Sequence, residues 1–261
     1  MIKYGLKLWT TDKNLFGEAA DLLRAGLVDL VELYIVPDFL SMDGLKIFKG
    51  TNAIIHAPHY GHGFNIFTFD KKDEKMFKKQ VIGAADFLAA EHIIVHAGIG
   101  TDEGLFKKNI EKIHDSRILI ENKPKFGPKG ELLFGYSLRQ LEFIKRECGL
   151  EICLDIAHAI KSAFSQGMDY KEYLELLLNG LDPSYFHISD GTADNEIDDH
   201  LDLGAGNFDL AWLAEKIKKI GLSKDISLIF EIPKKNGGLK KDLINMTLFK
   251  NLAVDLKNNE I

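Results

Sequence analysis

Short β-branched or apolar runs alternate with longer amphipathic stretches along the whole chain. The runs fall at residues 4–9 (YGLKLW), 28–35 (VDLVELYI), 53–57 (AIIHA), 92–97 (HIIVHA), 117–121 (RILIE), 151–156 (EICLDI), 184–189 (SYFHIS) and 226–231 (ISLIFE). Triplets such as Ile-Leu-Ile and Ile-Ile-Val fit strands buried on both faces, as parallel strands are. Helical patterns fill the intervals, near 14–25, 38–48, 71–90, 103–114, 137–148, 169–180, 208–220 and 239–257. Between Met76 and Ala90 the apolar positions 76, 77, 81, 82, 84, 85, 88 and 89 keep a helical period. Eight strand–helix units with no Pro/Ser-rich linker predict one domain, a (β/α)8 TIM barrel over residues 1–261. A doubly wound open sheet is the runner-up. It usually has fewer strands, and no Gly-x-Gly-x-x-Gly opens the first helix.

Composition sets limits more than direction. A chain of 261 residues, 46% hydrophobic, carries enough apolar mass for a large core and is not disordered as a whole. No window approaches 18 uninterrupted apolar residues, so no membrane span is expected. The opening Met-Ile-Lys-Tyr-Gly-Leu-Lys-Leu-Trp lacks a signal-peptide pattern, and a cytoplasmic location is expected. Two cysteines, Cys148 and Cys153, cannot build a disulfide framework or a four-thiolate metal site, and read as core-filling thiols. A net charge of −6 argues weakly against unspecific nucleic-acid binding, although metal ions gathered in a cleft would not show in a residue count.

The chemistry appears where the strands end. In a parallel β/α barrel the active site lies at the C-terminal ends of the strands. Strand 3 ends in His56, strand 4 in His96, strand 5 in Glu121 and strand 6 in Asp155, with His158 just beyond. Strand 7 carries His187 and Asp190, strand 8 ends in Glu231, and the loop after strand 7 adds Asp198-Asp199-His200. Any one of these has a bland reading: a hydrogen-bonded core histidine, or an acid capping the next helix. Six consecutive strands delivering imidazole or carboxylate to one level change that reading. Such a gathering is costly to bury unless cations pair it. Mixed carboxylate and imidazole donors suit Zn²⁺, Mn²⁺, Co²⁺ or Fe²⁺.

The pieces IIHAP, IVHAG, LIEN, ICLDIAHA, FHISD, DDHLDLGAG and IFEIP, in that order, resemble the endonuclease IV and xylose-isomerase-like TIM-barrel superfamily, which also holds sugar phosphate isomerases and epimerases. The resemblance runs over nearly the whole chain and implies one of two chemistries. In the endonuclease IV branch, three zinc ions and nine ligands generate a hydroxide that attacks a phosphodiester. The matching residues here are His56, His96, Glu121, Asp155, His158, His187, Asp198, His200 and Glu231. This is the leading expectation: a multinuclear, zinc-dependent phosphoester hydrolase, with Glu121 and Glu231 in catalytic roles. In the isomerase and epimerase branch, one Mn²⁺, Co²⁺ or Mg²⁺ is held by Glu121, Asp155, His187 and Glu231, and the two glutamates move a proton on and off a carbon beside a carbonyl. One divalent ion against three carboxylates leaves a negative site suited to a neutral sugar. Three ions against four carboxylates leave a positive site that attracts phosphate.

Departures cut both ways. After strand 2 the segment Glu32-Leu-Tyr34-Ile-Val-Pro37-Asp38-Phe39 lacks the basic DNA-contact character of abasic-site endonucleases, and His59 stands where they place a penetrating Tyr. After His187 the chain lacks the substrate-binding Arg of the sugar epimerases. The expected partner is a small phosphorylated or sugar substrate, or damaged nucleic acid, and no membrane.

Substrate contacts are expected from Trp9, His59, Asn122, Lys123, Lys161 and Lys234, with Lys125, Lys129 and Lys235 as further loop cations. Tyr34, Tyr60 and Phe64 are candidate cleft walls, and Asn122 can alternatively orient Glu121. Asp190 and Asp199 are candidates for orienting ligand imidazoles. His62 is a rival to His56, whereas His92 and His114 read as structural. Gly204-Ala-Gly206 reads as a turn near the metals.

Overall fold

The computed structural model describes residues 1–113, 115–234 and 238–255. Eight strands, β1 (Ile2–Trp9), β2 (Leu30–Tyr34), β3 (Ala53–His56), β4 (Ile93–His96), β5 (Ile118–Glu121), β6 (Glu151–Asp155), β7 (Tyr185–Ile188) and β8 (Ile226–Phe230), form a closed parallel barrel in sequence order. β1 pairs with β8 to complete the ring. Every expected strand is present, with ends that differ by at most two residues.

Around the barrel run α1 (Phe16–Arg24), α2 (Met42–Leu45), α3 (Lys71–Met76), α4 (Gly83–Leu88), α5 (Glu103–Ile110), α6 (Leu138–Cys148), α7 (Ile156–Ser165), α8 (Tyr170–Leu181), α9 (Leu210–Ser223) and α10 (Lys240–Asp255). Three differences from the periodicity reading have physical causes. The expected helix 38–48 shrinks to α2 and a 3₁₀ turn, since Asp38 takes a positive φ and the helix begins only where Ser41 Oγ accepts from Gly44 N. The continuous pattern 71–90 holds, but π-helical turns over Phe77–Ile82 join α3 to α4. The third difference is α7, which follows β6 directly and lies in none of the expected helical intervals. His158, Lys161, Ser162 and Ser165 do keep a helical spacing, but 156–163 are all buried, and this polar stripe faces the barrel mouth and the neighbouring loops instead of solvent. β6 therefore stops at Asp155 and not at Ile156.

Inside the barrel, side chains stack in layers. Leu30, Ile54, Ile94, Leu119, Cys153, Tyr185 and Ile229, one from each of β2–β8, make a buried cluster separate from the main core between strands and helices. Gly5 on β1 completes this layer. A Cβ there would lie 2.5 Å from Ile229 Cδ1 and 2.9 Å from Leu30 O, so only glycine fits. Among the described residues no helix is long and apolar enough to cross a membrane.

Candidate metal centre

Side chains on a strand alternate between faces, so the residue two beyond an inward one points inward again, one layer up. Two residues beyond the apolar layer stand Lys7, Glu32, His56, His96, Glu121, Asp155, His187 and Glu231. Register places Lys7 beside Glu32, His96 beside Glu121 and Asp155 beside His187. All eight strands thus give an ionisable group to one level, and six of the eight are fully or almost fully buried. His158 joins them from the first turn of α7, because Asp155 caps that helix: its Oδ1 accepts from His158 N at 2.8 Å. Asp198 and His200 descend on the loop after β7.

The nine residues expected as ligands converge. Three sets share no member: His56, His96 and Glu121; Asp155, His187 and Glu231; and His158, Asp198 and His200. Within each set the donor atoms lie within 4.8 Å of one another. A fourth grouping, Glu121 with Asp155 and His158, ties the sets together. In the first set Glu121 Oε2 is 2.8 Å from His56 Nε2 and 3.0 Å from His96 Nε2. In the second His187 Nδ1 is 3.3 Å from Glu231 Oε2 and 3.9 Å from Asp155 Oδ2. In the third Asp198 Oδ2 is 2.9 Å from both His158 Nε2 and His200 Nε2.

The hydrogen bonds show that these groups fit cations. His56 Nδ1 donates to Ala57 O at 2.8 Å, and His158 Nδ1 lies 3.0 Å from Asn122 O. A carbonyl only accepts, so a ring carrying a single proton, the form a metal ligand takes, holds it on Nδ1 and turns its Nε2 lone pair to a carboxylate. His187 is the mirror case, with Nε2 engaged by Glu32 and Nδ1 facing Glu231. Each set therefore holds an imidazole lone pair against a carboxylate oxygen, an arrangement that a cation reconciles. His96 Nδ1, His187 Nδ1, His200 Nδ1, Asp198 Oδ1 and Glu231 Oε2 are buried with no hydrogen-bond partner. Imidazole and carboxylate without thiolate suit zinc and its divalent neighbours.

Titration reflects the same crowding. Burial pushes Asp155 up. Burial acts likewise on Glu121, but His96 and the Lys123 ammonium, with His158 and His56 beside it, hold it well below the usual carboxylate range. Burial disfavours the charged ring of His158, yet Asp155 and Asp198 carry it up to about 10.

Above this level lies a cleft of about 780 Å³ walled by Trp9, Tyr34, His59, Tyr60 and Phe126, with Lys123 and the metal-ligand candidates at its floor. Trp9 packs on Tyr34 with ring centres 4.7 Å apart, and His59 stacks parallel to His96 at 5.3 Å. Lys123 is not on an outer loop surface. Its Nζ lies 3.0 Å from Glu121 Oε1 and 3.3 Å from His158 Nε2. Lys234 lines an adjoining cleft with Trp9, Asp12 and His200, its ammonium paired with Asp242.

Several expectations are corrected. Asn122 does not face the cleft: its amide nitrogen donates to Asp155 O and its oxygen accepts from Asp155 N, which fixes the end of β6. Lys161 is fully buried and spends its ammonium on Thr192 O, Asn195 Oδ1 and Asp199, pinning the loop that carries Asp198. Asp199 is thereby a partner of Lys161, not an orienter of imidazoles. Asp190 accepts from Gly204 N and Gly206 N, ordering the Gly204–Gly206 turn. Phe64 packs against Phe69 and Phe77 in the core, away from the cleft. His62 Nδ1 pairs with Tyr34 OH at 2.7 Å, which leaves His56 as the β3 ligand candidate. Lys125 lies over the rings of Phe126 and Tyr136. His92 sits against Tyr185, one layer below the site, and His114 and Lys235 lie outside the described residues.

Sequence reasoning missed Lys7, Glu32 and Tyr185. It looked for ionisable groups at strand ends, and β1 and β2 run two residues past theirs, to Trp9 and Tyr34. Counting two positions on from the inward apolar residue of each strand would have found both Lys7 and Glu32.

A family model for the xylose isomerase-like TIM barrel matches residues 41–248. Among solved structures, endonuclease IV from Thermus thermophilus superposes with a TM-score of 0.71 at 22% identity, covering 97% of this chain and 99% of that one. An AP endonuclease, family 2, from Brucella melitensis gives 0.67 at 16% identity, covering 96% and 98%. D-psicose 3-epimerase with D-tagatose from Clostridium cellulolyticum gives 0.60 at 12% identity, covering 98% of each chain. At these identities the likeness shows a shared fold. A search of curated protein sequences finds no match. With the barrel, its ring of donors and the match over most of its length in hand, this chain belongs to the xylose isomerase-like TIM barrel family.

Proposed function

We propose that the protein is a multinuclear, zinc-dependent phosphoester hydrolase acting on a small phosphorylated substrate. The observation that carries this reading is the division of nine donors into three sets with no member in common. A one-metal isomerase needs Glu121, Asp155, His187 and Glu231, and leaves His56, His96, His158, Asp198 and His200 without a metal to hold.

Bound at the three sets, divalent ions would activate water and offset the charge of a phosphate and its leaving oxygen. Glu121 belongs to two of the groupings and would tie the ions together. Lys123, at the cleft floor beside Glu121 and His158, supplies a further positive charge for phosphate. Trp9, Tyr34, His59 and Tyr60 give the substrate a stacking wall and keep bulk water from one side of the floor.

A sugar isomerase or epimerase is the second reading, favoured by Glu121 Oε2 lying 3.6 Å from His187 Nδ1, within reach of the Asp155, His187 and Glu231 set that a single ion would use. Metal counting separates the two. The protein stripped with chelator and reloaded with zinc is expected to hold close to three ions per chain and to cleave bis(p-nitrophenyl) phosphate or an abasic-site oligonucleotide. One ion per chain, with turnover of ketoses alone, would end the hydrolase reading.

A further inference from the structure

Six strands of the barrel give metal-ligand candidates to the ionisable layer, and the other two give Lys7 and Glu32, which ligate nothing in either proposed reaction. Both are buried, Glu32 completely. Glu32 Oε2 accepts from His187 Nε2 and from Tyr185 OH, each at 2.8 Å. Its Oε1 lies 3.4 Å from Lys7 Nζ, and Lys7 Nζ donates to Glu231 Oε1 at 2.9 Å.

The pair thus occupies one end of each of two ligands. With Nε2 donating to Glu32, the neutral His187 ring presents its lone pair at Nδ1. With Oε1 taken by Lys7, Glu231 presents Oε2. These two atoms are 3.3 Å apart, and both are buried without a hydrogen-bond partner. Asp155 Oδ2 completes the opening at 3.9 Å from Nδ1.

The other two sets each have part of this arrangement. Lys123 Nζ holds Glu121 Oε1 at 3.0 Å, but His56 in that set is oriented by a neutral backbone carbonyl, at Ala57. His158 Nδ1 lies 3.0 Å from Asn122 O and 3.1 Å from Glu121 Oε1, but Asp198 in that set pairs with His158 and His200 and not with an ammonium. The second imidazole of each set, His96 or His200, has an Nδ1 with no partner at all. A charged acceptor binds an N–H more strongly than a neutral carbonyl and raises the basicity of the opposite nitrogen. Of the three separate sets among the described residues, that of Asp155, His187 and Glu231 alone combines an imidazole fixed by a carboxylate from outside the set with a carboxylate fixed by an ammonium.

We propose that Lys7 and Glu32 are positioning residues that pre-orient His187 and Glu231, making the Asp155–His187–Glu231 site the tightest of the metal sites and the first to fill. The inference goes beyond the reaction, since the site serves either chemistry.

The test is a Co²⁺ titration of the metal-stripped protein, read by visible absorption and by competition with a chelator. Glu32→Gln keeps the shape of the side chain but removes its charge, and Lys7→Met frees Glu231 Oε1. Each is expected to weaken the tightest class of site by about 10- to 100-fold and to leave any weaker class unchanged. A folded variant whose tightest class is unaltered overturns the proposal, as does an equal loss in every class, which marks a merely structural pair. A second measurement needs no variant: long-range ¹H–¹⁵N spectra of the protein with one equivalent of zinc. They are expected to show His187 ligated through Nδ1 with its proton on Nε2. First-equivalent zinc on His96 or His200, or His187 bound through Nε2, overturns the proposal.

Discussion

Two layers of the barrel interior, two residues apart on the same strands, are built to opposite rules. The lower layer is Gly5, Leu30, Ile54, Ile94, Leu119, Cys153, Tyr185 and Ile229, almost wholly apolar. The upper layer carries four acids, three histidines and a lysine. Both layers sit on or just past the same eight strands and are mostly buried, so the contrast is mainly one of side-chain chemistry. The lower layer closes the barrel by packing. The upper one holds groups that are costly to bury without cations, and is the layer that the proposed function uses.

The comparison is broken most severely by removing a donor from the upper layer. Glu231→Gln and His96→Ala should each reduce turnover to background in steady-state assays with bis(p-nitrophenyl) phosphate. For His96→Ala, an unaltered kcat with a higher KM would instead count against the multinuclear cluster. In the lower layer, Ile229→Ala should destabilise the fold by about 2–5 kcal/mol in denaturant titrations while metal content stays at the wild-type value. Gly5→Ala overpacks that layer against Ile229 and Leu30 and should cost about 1–3 kcal/mol by the same measurement. The smallest effect is expected from Lys123→Met. It should raise KM about tenfold, the size of one charge-assisted hydrogen bond, with kcat nearly unchanged. A fall in kcat alone would place Lys123 in the chemical step.

How much of this was legible in the sequence follows from the same two layers. The strands could be read because buried parallel strands are continuous apolar runs, and the metal-ligand candidates because His or carboxylate interrupts those runs at their ends. Helix α7 was passed over because it starts directly after β6 with no intervening loop, although His158, Lys161, Ser162 and Ser165 keep a helical spacing. Lys7 and Glu32 escaped because each sits inside its strand, where a lone charge looks like a solvent-facing residue. Asn122, Lys161, Asp190 and Asp199 were drawn to the site by proximity along the chain, yet their hydrogen bonds go to the loops that carry the donors. Sequence spacing gives the level of a residue along the barrel axis. Which way a loop side chain turns depends on partners dozens of residues away.

Asp155 has one further consequence. One of its oxygens begins α7 by accepting from His158 N, while the other faces His187 and His158. In the proposed centre, ion loading and the integrity of that helix's opening turn would therefore share a single carboxylate. Emptying the centre should loosen the His158 amide before the rest of the helix, so deuterium uptake at that one position would serve as a built-in gauge of how full the barrel mouth is.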